Sequence, residues 1–561
     1  MHLPWAAQVA LVMAACAAVL LPSLGAAPLE RAEIYFMDGA RGMVESGDWL
    51  VPRYQGAPFF DKPALTYWLM AASFSAFGTT LGAGRLVSAG AALALLATTA
   101  WLGRLVLDRR AALHGTLALG TTLLVLSFGR VAMSDMLLSL WCTLAVGVGV
   151  RAATTGGGPG SMALLGAVLG LGFLTKGPIA VVLAGLGLAL LAGPGLRGAR
   201  LRPRWTGAAA AMCTFVVCGL GWFAVVGWRL GPGPLEYFFF RENLARFAGE
   251  VYDAGRSPLF YLWAYLAAGL PWSLLFPLAA WRGRRRGSFL LLWMALMAVA
   301  LSLSRGKIDY YLLPLLPPAS LVIGSHLRSR WDAIDRSWAR GALLAFALVA
   351  LLPAAMEARL PTDWLPGWRA QVGLVALGAG VAAAAALAAL RPSPVRLSAV
   401  FAGGTAVTFT FLAAVFLPAF RAAQPNADVV EDVRRERAWR PDAALVVCGD
   451  PARTARDLLF EVRVVAQERC DVWNPASSRR PFLLLVAPEQ WQALQTVPGI
   501  REVATYRSVP AAALTLGDMI AGIREEPFVL VANYPTDDPV AETKRRRDRK
   551  RALRREAAAA P

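Results

Sequence analysis

The chain has 561 residues, a formal net charge of +19 and 57% hydrophobic residues, but only 17% charged ones. A soluble protein carries about a quarter of its residues as Asp, Glu, Lys and Arg, and the mean hydropathy here is +0.50. Apolar runs of about 17–25 residues, enough to cross hydrocarbon as a helix, recur over the first three quarters, so a wholly soluble enzyme is excluded. The composition predicts an all-α polytopic membrane protein.

Thirteen spans are predicted, near 6–26, 86–107, 111–129, 136–153, 160–175, 177–194, 207–227, 258–280, 288–304, 308–326, 341–356, 370–390 and 397–418. The first resembles a signal peptide but has no Lys or Arg before its apolar run, so it reads as a membrane helix. The stretch 63–80 is broken by polar and aromatic residues and also fits a helix lying at the interface. Arginines fill five loops: Arg109 and Arg110; Arg197 to Arg204; Arg282 to Arg286; Arg328 to Arg340; Arg391 and Arg396. Thirteen spans put all five on one side, which is then the cytoplasm of a bacterial inner membrane. The positive charge therefore speaks for membrane topology and not for nucleic acid.

On the other side fall a first loop at 27–62, a large loop at 228–257, a short edge near 304–310 and everything after about 419. Residues 421–540 read as a small extracytoplasmic α/β domain. Its strands are expected at Ala444–Cys448, Val462–Ala466, Phe482–Ala487 and Phe528–Tyr534, and its helices at Arg453–Glu461 and Pro488–Thr496. A basic tail, 541–561, is expected to be disordered and to lie on anionic headgroups. Cys16, Cys142, Cys213 and Cys218 sit in apolar runs as packing residues. Cys448 and Cys470 could pair if exported, which spacing alone does not decide.

The exported edges gather ionisable residues from distant parts of the chain. The first loop offers Glu30, Glu33, Asp48, Asp61 and Lys62. Later edges offer Arg130 and Asp135, then Lys176, then Tyr237, Arg241, Glu242 and Arg246, then Arg305, Lys307, Asp309, Tyr310 and Tyr311. Charges at span ends are costly unless paired or solvated and often mark a site. Lys and Arg suit a phosphate, and a carboxylate can take a proton from an attacking group. Trp49, Tyr67 and Trp68 can stack on a sugar or sit at headgroup level. Blander roles stand beside these. Lys176 fits a snorkelling helix end, Asp135 a helix cap, Arg246 a headgroup contact, and Asp61–Lys62 a surface pair.

The segment GDWLVPRYQGAPFFDKPALTYW is similar to the first-loop signature of the bacterial branch of the protein-mannosyltransferase superfamily. These are C-type glycosyltransferases, among them the lipid A aminoarabinose transferases. RVAMSDMLLSLW, GFLTKGPIA, EYFFFRENLARFAG, RSPLFYLWAYLAAGLPW and SRGKIDYYLLPLLP resemble the family in the same order, over roughly residues 30–320. The resemblance implies transfer of a sugar from a polyprenyl-phosphate donor to a lipid or protein acceptor at the outer face of the inner membrane.

It also implies residue roles. Lys62 and Arg246 match donor-phosphate positions, with Lys176 and Lys307 beside them. Asp135 matches an acid on the second exported edge. The first-loop acidic pair usually reads Asp-Glu and here reads Ala32-Glu33. Glu33 is therefore the expected base and Glu30 the reserve, with inversion at the sugar carbon. Asp61, Trp49, Tyr67, Tyr310 and Tyr311 are expected to line the substrate. With three histidines and no Asp-X-Asp triplet, no metal ligands are assigned; a divalent ion stays open, and no other cofactor is implied. Two other readings remain, a lipid-phosphate flippase and an inactive relative that only binds the donor. The sugar, the acceptor and the oligomeric state are not written in the sequence.

Overall fold

The computed structural model describes residues 3–27, 29, 32–54, 56–193, 200–248, 255–284, 287–357, 367–418, 426–447, 481–508 and 526–534. Among them, seven helices are long and apolar enough to cross a membrane: Leu81–Val106, Asp135–Thr155, Pro159–Lys176, Trp205–Leu230, Ala333–Ala355, Trp368–Leu390 and Pro394–Phe416. Four shorter apolar helices join them, Trp5–Leu20, Ala64–Phe77, Pro178–Ala192 and Ser288–Leu303. The protein is a mostly helical, multi-pass membrane protein.

Three predicted spans are broken. The run 111–129 is two helices, Arg109–Gly120 and Leu123–Phe128. The run 258–280 divides into Phe260–Ala268, a short 3-10 turn Trp272–Leu274 and Phe276–Gly283. Pro271 and Pro277 have no N–H to continue a helical ladder, and a proline past the first turn costs a backbone hydrogen bond. The run 308–326 opens as a 3-10 helix, Asp309–Leu315, and continues as Leu316–Arg328 with prolines in its first turn. Hydropathy counts apolar length and passes over such breaks. The ambiguous stretch 63–80 holds a 14-residue helix, Ala64–Phe77.

Helix starts follow local chemistry. The Asp108 carboxylate accepts from the backbone N–H groups of Arg110 and Ala111, and the Thr80 hydroxyl accepts from Ala83 N–H. Both satisfy donors that a helix start leaves open. Pro159 and Pro178 occupy first turns, where a missing N–H costs nothing.

The C-terminal region forms a mixed four-stranded sheet in the order Ala444–Val447, Phe482–Val486, Glu526–Ala532, Arg501–Ser508. The first pair is parallel and the others antiparallel. Strand Arg501–Ser508 and helix Asn426–Trp439 were not predicted; both mix charges into their apolar pattern. Helix Pro488–Leu494 lies where a helix was expected. Strand Val462–Ala466, helix Arg453–Glu461, Cys448, Cys470 and the basic tail lie outside the described residues. Leu445, Leu483, Phe528 and Leu530 of the sheet share one buried cluster with Ile34, Met37, Met43 and Tyr67 of the first loop and the helix after it. The C-terminal sheet therefore packs over the first loop.

Candidate active site

The first loop is built around the amphipathic helix Glu33–Ser46, which ends at Gly47 in a left-handed conformation (φ 71°). A small hairpin, Arg53–Tyr54 with Ala57–Pro58, follows. Two indoles pin this stretch down. Trp68 Nε1 donates to the Trp49 carbonyl at 2.7 Å, and Trp222 Nε1 donates to the Leu50 carbonyl at 3.0 Å. Gly39 is required by close approach: a Cβ there would sit 2.6 Å from the Tyr67 ring.

Asp61 and Lys62 end the loop and reach the loop after Trp205–Leu230. Tyr237 OH donates to Asp61 Oδ1 at 2.8 Å, and Lys62 Nζ lies 3.2 Å from Glu242 Oε2. Tyr237 and Glu242 belong to a nine-residue π-helical stretch, Tyr237–Ala245. Wide turns of this kind are concentrated at functional sites. Burial, and then the Asp61 carboxylate, push the Tyr237 hydroxyl well above the ordinary tyrosine range.

A second group is built from span ends. Asp135 opens the Asp135–Thr155 helix and is 2% exposed; Lys176 ends the Pro159–Lys176 helix, with its Nζ 2.5 Å from Asp135 Oδ1. The same ammonium stands 4.8 Å from the Tyr311 ring centre and 5.9 Å from that of Tyr310, within cation–π range. The two groups adjoin through Gly177. Its φ is +72°, and a Cβ there would lie 2.7 Å from the Phe238 ring. Tyr67 is fully buried in the same region, and the Asp61 and Glu242 carboxylates act electrostatically on it. Its hydroxyl, Thr66 Oγ1 and Ser134 Oγ have no hydrogen-bond partner among the described residues. Buried polar atoms left this way are costly unless a ligand or water meets them.

The structure thus brings together Asp61, Lys62 and Tyr67, and beside them Asp135, Lys176, Tyr310 and Tyr311. Lys307 is buried, and its carbonyl accepts from Arg256 Nη1 at 3.0 Å. Arg305 N–H donates to the Phe247 carbonyl at 3.3 Å, which lays the Arg305–Lys307 stretch beside the short helix Arg246–Ala248. Trp49 stays partly exposed at 41%. Glu30 lies outside the described residues. Among the described residues, no three His, Cys, Asp or Glu side chains converge as a metal site.

Glu33 is placed differently from an open base. It is fully buried at the start of its helix, and both carboxylate oxygens bond Arg85, at 2.8 Å from Nε and 2.8 Å from Nη2. Ala132 N–H also donates to it at 2.6 Å, and Arg85 further donates to the Leu24 and Ala27 carbonyls. The forked pair ties the first loop to two spans and the residues before the loop. Arg85 escaped the sequence reading. The available signal was an arginine at the leading edge of the apolar run 86–107, a charge that is expensive there without a partner. Arg130 likewise donates to the Leu20, Pro22 and Ser23 carbonyls and closes the end of the first helix.

Residues 61–222 match the family model described as dolichyl-phosphate-mannose-protein mannosyltransferase. The chain is 34% identical over 339 residues to an undecaprenyl phosphate-alpha-4-amino-4-deoxy-L-arabinose arabinosyl transferase of Pseudomonas aeruginosa, covering 56% of this chain and 59% of that protein. It is 32% identical over 354 residues to one from Sodalis glossinidius, covering 59% and 61%. These matches span about three fifths of the relatives' length. The fold matches the crystal structure of ArnT from Cupriavidus metallidurans bound to undecaprenyl phosphate, with a TM-score of 0.73, 21% identity, and 94% of this chain and 98% of that one covered.

The chain thus has the fold of that crystal structure, and its segment 61–222 is similar to the protein-mannosyltransferase family model. The curated relatives it resembles over this part of its length are bacterial undecaprenyl-phosphate aminoarabinose transferases.

Proposed function

We propose that this protein is an inner-membrane glycosyltransferase that moves a sugar, an amino-pentose by analogy with its relatives, from a polyprenyl-phosphate donor to a lipid A-like acceptor at the outer face. The observation that carries this reading is the convergence of Lys62, Lys176, Asp135, Tyr310 and Tyr311, from four distant stretches, at one end of the helices. Lys62 and Lys176, together with Lys307 and with Arg246 as the family resemblance assigns it, supply positive charge where a phosphate leaving group gains negative charge. Tyr67, Tyr310 and Tyr311 offer aromatic faces and a hydroxyl to the sugar. Attack opposite the phosphate inverts the sugar carbon.

A first-loop carboxylate takes the acceptor's proton, and Glu33 and Glu30 are the two candidates. The Arg85 clasp favours an orienting role for Glu33, which leaves Glu30 to act as base. The same observation, with Ala32 in place of an acid, supports a second reading as a relative that binds donor without transferring sugar.

The test is purified protein in lipid, given a panel of polyprenyl-phosphate sugars and a membrane extract as acceptor. Release of free polyprenyl phosphate with one sugar is the expected result. Donor binding without release across the panel establishes the inactive relative, and movement of donor between leaflets establishes the flippase.

A further inference from the structure

Tyr310 and Tyr311 stand at the site. From there the chain runs along Leu316–Arg328 to the other end of the helices, returns in Ala333–Glu357, and comes back at the turn between Trp368–Leu390 and Pro394–Phe411. At this far end lies a cavity of about 750 Å³, lined by Arg336, Ser337, Arg340, Arg391, Ser393 and Arg396.

Among the described residues, these four arginines have no carboxylate partner. Arg336, Arg340 and Arg396 each donate to a backbone carbonyl, of Trp331, Ala389 and Arg391 respectively. A carbonyl is neutral and leaves the guanidinium charge standing. No described carboxylate lies in a salt bridge with any of the four. Other arginines at this end are neutralised: Arg282 pairs with Asp332 and Asp335, and Arg328 with Asp108. The start of the 18-residue Pro394–Phe411 helix adds the positive end of its dipole, and Ser393 caps it.

The flanks are apolar and face outward. Leu390 is 71% exposed, Val395 74% and Leu387 68%. A pocket with four guanidiniums lacking a described carboxylate partner and an apolar rim suits a ligand with phosphate at one end and hydrocarbon at the other.

We propose that this cavity binds the headgroup of an anionic phospholipid of the cytoplasmic leaflet, its acyl chains lying along Leu387, Leu390 and Val395. The guanidinium forks hold the phosphate oxygens, and Ser337 and Ser393 supply hydroxyls. This site is separate from the donor site at the opposite end, and its occupancy does not depend on the transferase reading.

The experiment uses the full chain in detergent, offered equal amounts of phosphatidylglycerol and phosphatidylcholine, with retained lipid read by native mass spectrometry. The expected result is selective retention of the anionic lipid, falling about tenfold or more when Arg336, Arg340, Arg391 and Arg396 are all changed to Gln. The four Arg→Lys changes should keep a good part of the preference, which also reports that the fold survives. A control pair, Arg200→Gln with Arg202→Gln, in another arginine-rich loop, should retain the wild-type preference. Equal retention by the Gln quadruple variant overturns the proposal, and so does equal loss in the control pair. Displacement of the lipid by inorganic phosphate also overturns it, by pointing to a soluble anion.

Discussion

The Lys62 ammonium lies 3.2 Å from the Glu242 carboxylate, a residue 180 positions further along the chain. The pair joins the end of the first loop to the π-helical stretch Tyr237–Ala245. Lys62 is also the residue expected to meet the donor phosphate, so Glu242 and the phosphate compete for one ammonium. Glu242→Gln should tighten donor binding by up to about fivefold, the worth of a partly exposed ion pair. Lys62→Ala should cut transfer by about 100-fold or more, as loss of a charge that stabilises a leaving group does. Donor titration followed by turnover checks both. Weaker donor binding in the Glu242 variant would mean that Glu242 holds Lys62 in its binding position.

The Glu33–Arg85 clasp yields a prediction that separates support from chemistry. Glu33→Gln leaves a buried guanidinium without its charge partner, a change that costs about 3–5 kcal/mol. The variant should melt at a clearly lower temperature in detergent. Glu33→Gln with Arg85→Met should recover much of that loss, because replacing a buried pair on both sides is far less costly than breaking it. If Glu30 is the base, Glu30→Gln abolishes transfer at unchanged melting temperature. An active Glu30→Gln and an inactive, fully stable Glu33→Gln would return the base to Glu33.

Gly177 carries a third prediction. Its φ is +72°, and a Cβ at this position would meet the Phe238 ring at 2.7 Å, which leaves no room for a side chain. Gly177→Ala should destabilise the protein by about 1–2 kcal/mol from backbone strain alone, with more from the clash. It should also lower transfer, since Gly177 adjoins Lys176 and the π-helical stretch together. Gly156→Ala, at a left-handed position with nothing near a Cβ, should bear the backbone cost only. Comparing melting temperature and turnover of the two variants separates strain from site disturbance.

The Tyr237–Asp61 hydrogen bond sets a pH dependence. The folded Tyr237 hydroxyl titrates above its unfolded value of about 10, held up by burial first and by Asp61 next. The folded state therefore holds the proton longer than the unfolded one. Its contribution to stability is full below pH about 10 and is lost as pH rises above that value. Tyr237→Phe should lose about 1.5–3 kcal/mol at neutral pH, the range for a hydrogen bond to a charged group. It should also flatten the alkaline fall in melting temperature, and a pH series of thermal melts tests both.

Much of the membrane architecture follows from apolar run length. Runs such as 136–153 and 370–390 are continuous helices because nothing in them interrupts the backbone ladder. Where prolines and polar turns interrupt, as at Pro271, the same hydropathy predicts a span and the chain makes short helices instead. Strand Phe482–Val486 and the run Phe528–Ala532 were legible because they are buried on both faces. Strand Arg501–Ser508 was not, because a register shift between Glu502 and Ala504 breaks its period-two pattern and its place is fixed by pairing with Glu526–Ala532.

The sequence by itself determined that this is a polytopic helical protein, which segments carry charge at helix ends, and which family those segments resemble. These are properties of composition, local spacing and motif order. Only the tertiary structure decided which charges meet. Lys176 finds Asp135, Lys62 finds Glu242, and Glu33 is taken up by Arg85. Pairing across 41, 180 and 52 residues depends on how the helices pack, and no local pattern encodes it. Burial supplies the physical reason: a charge removed from water must find a partner in space, and the partner is whatever the fold brings within reach.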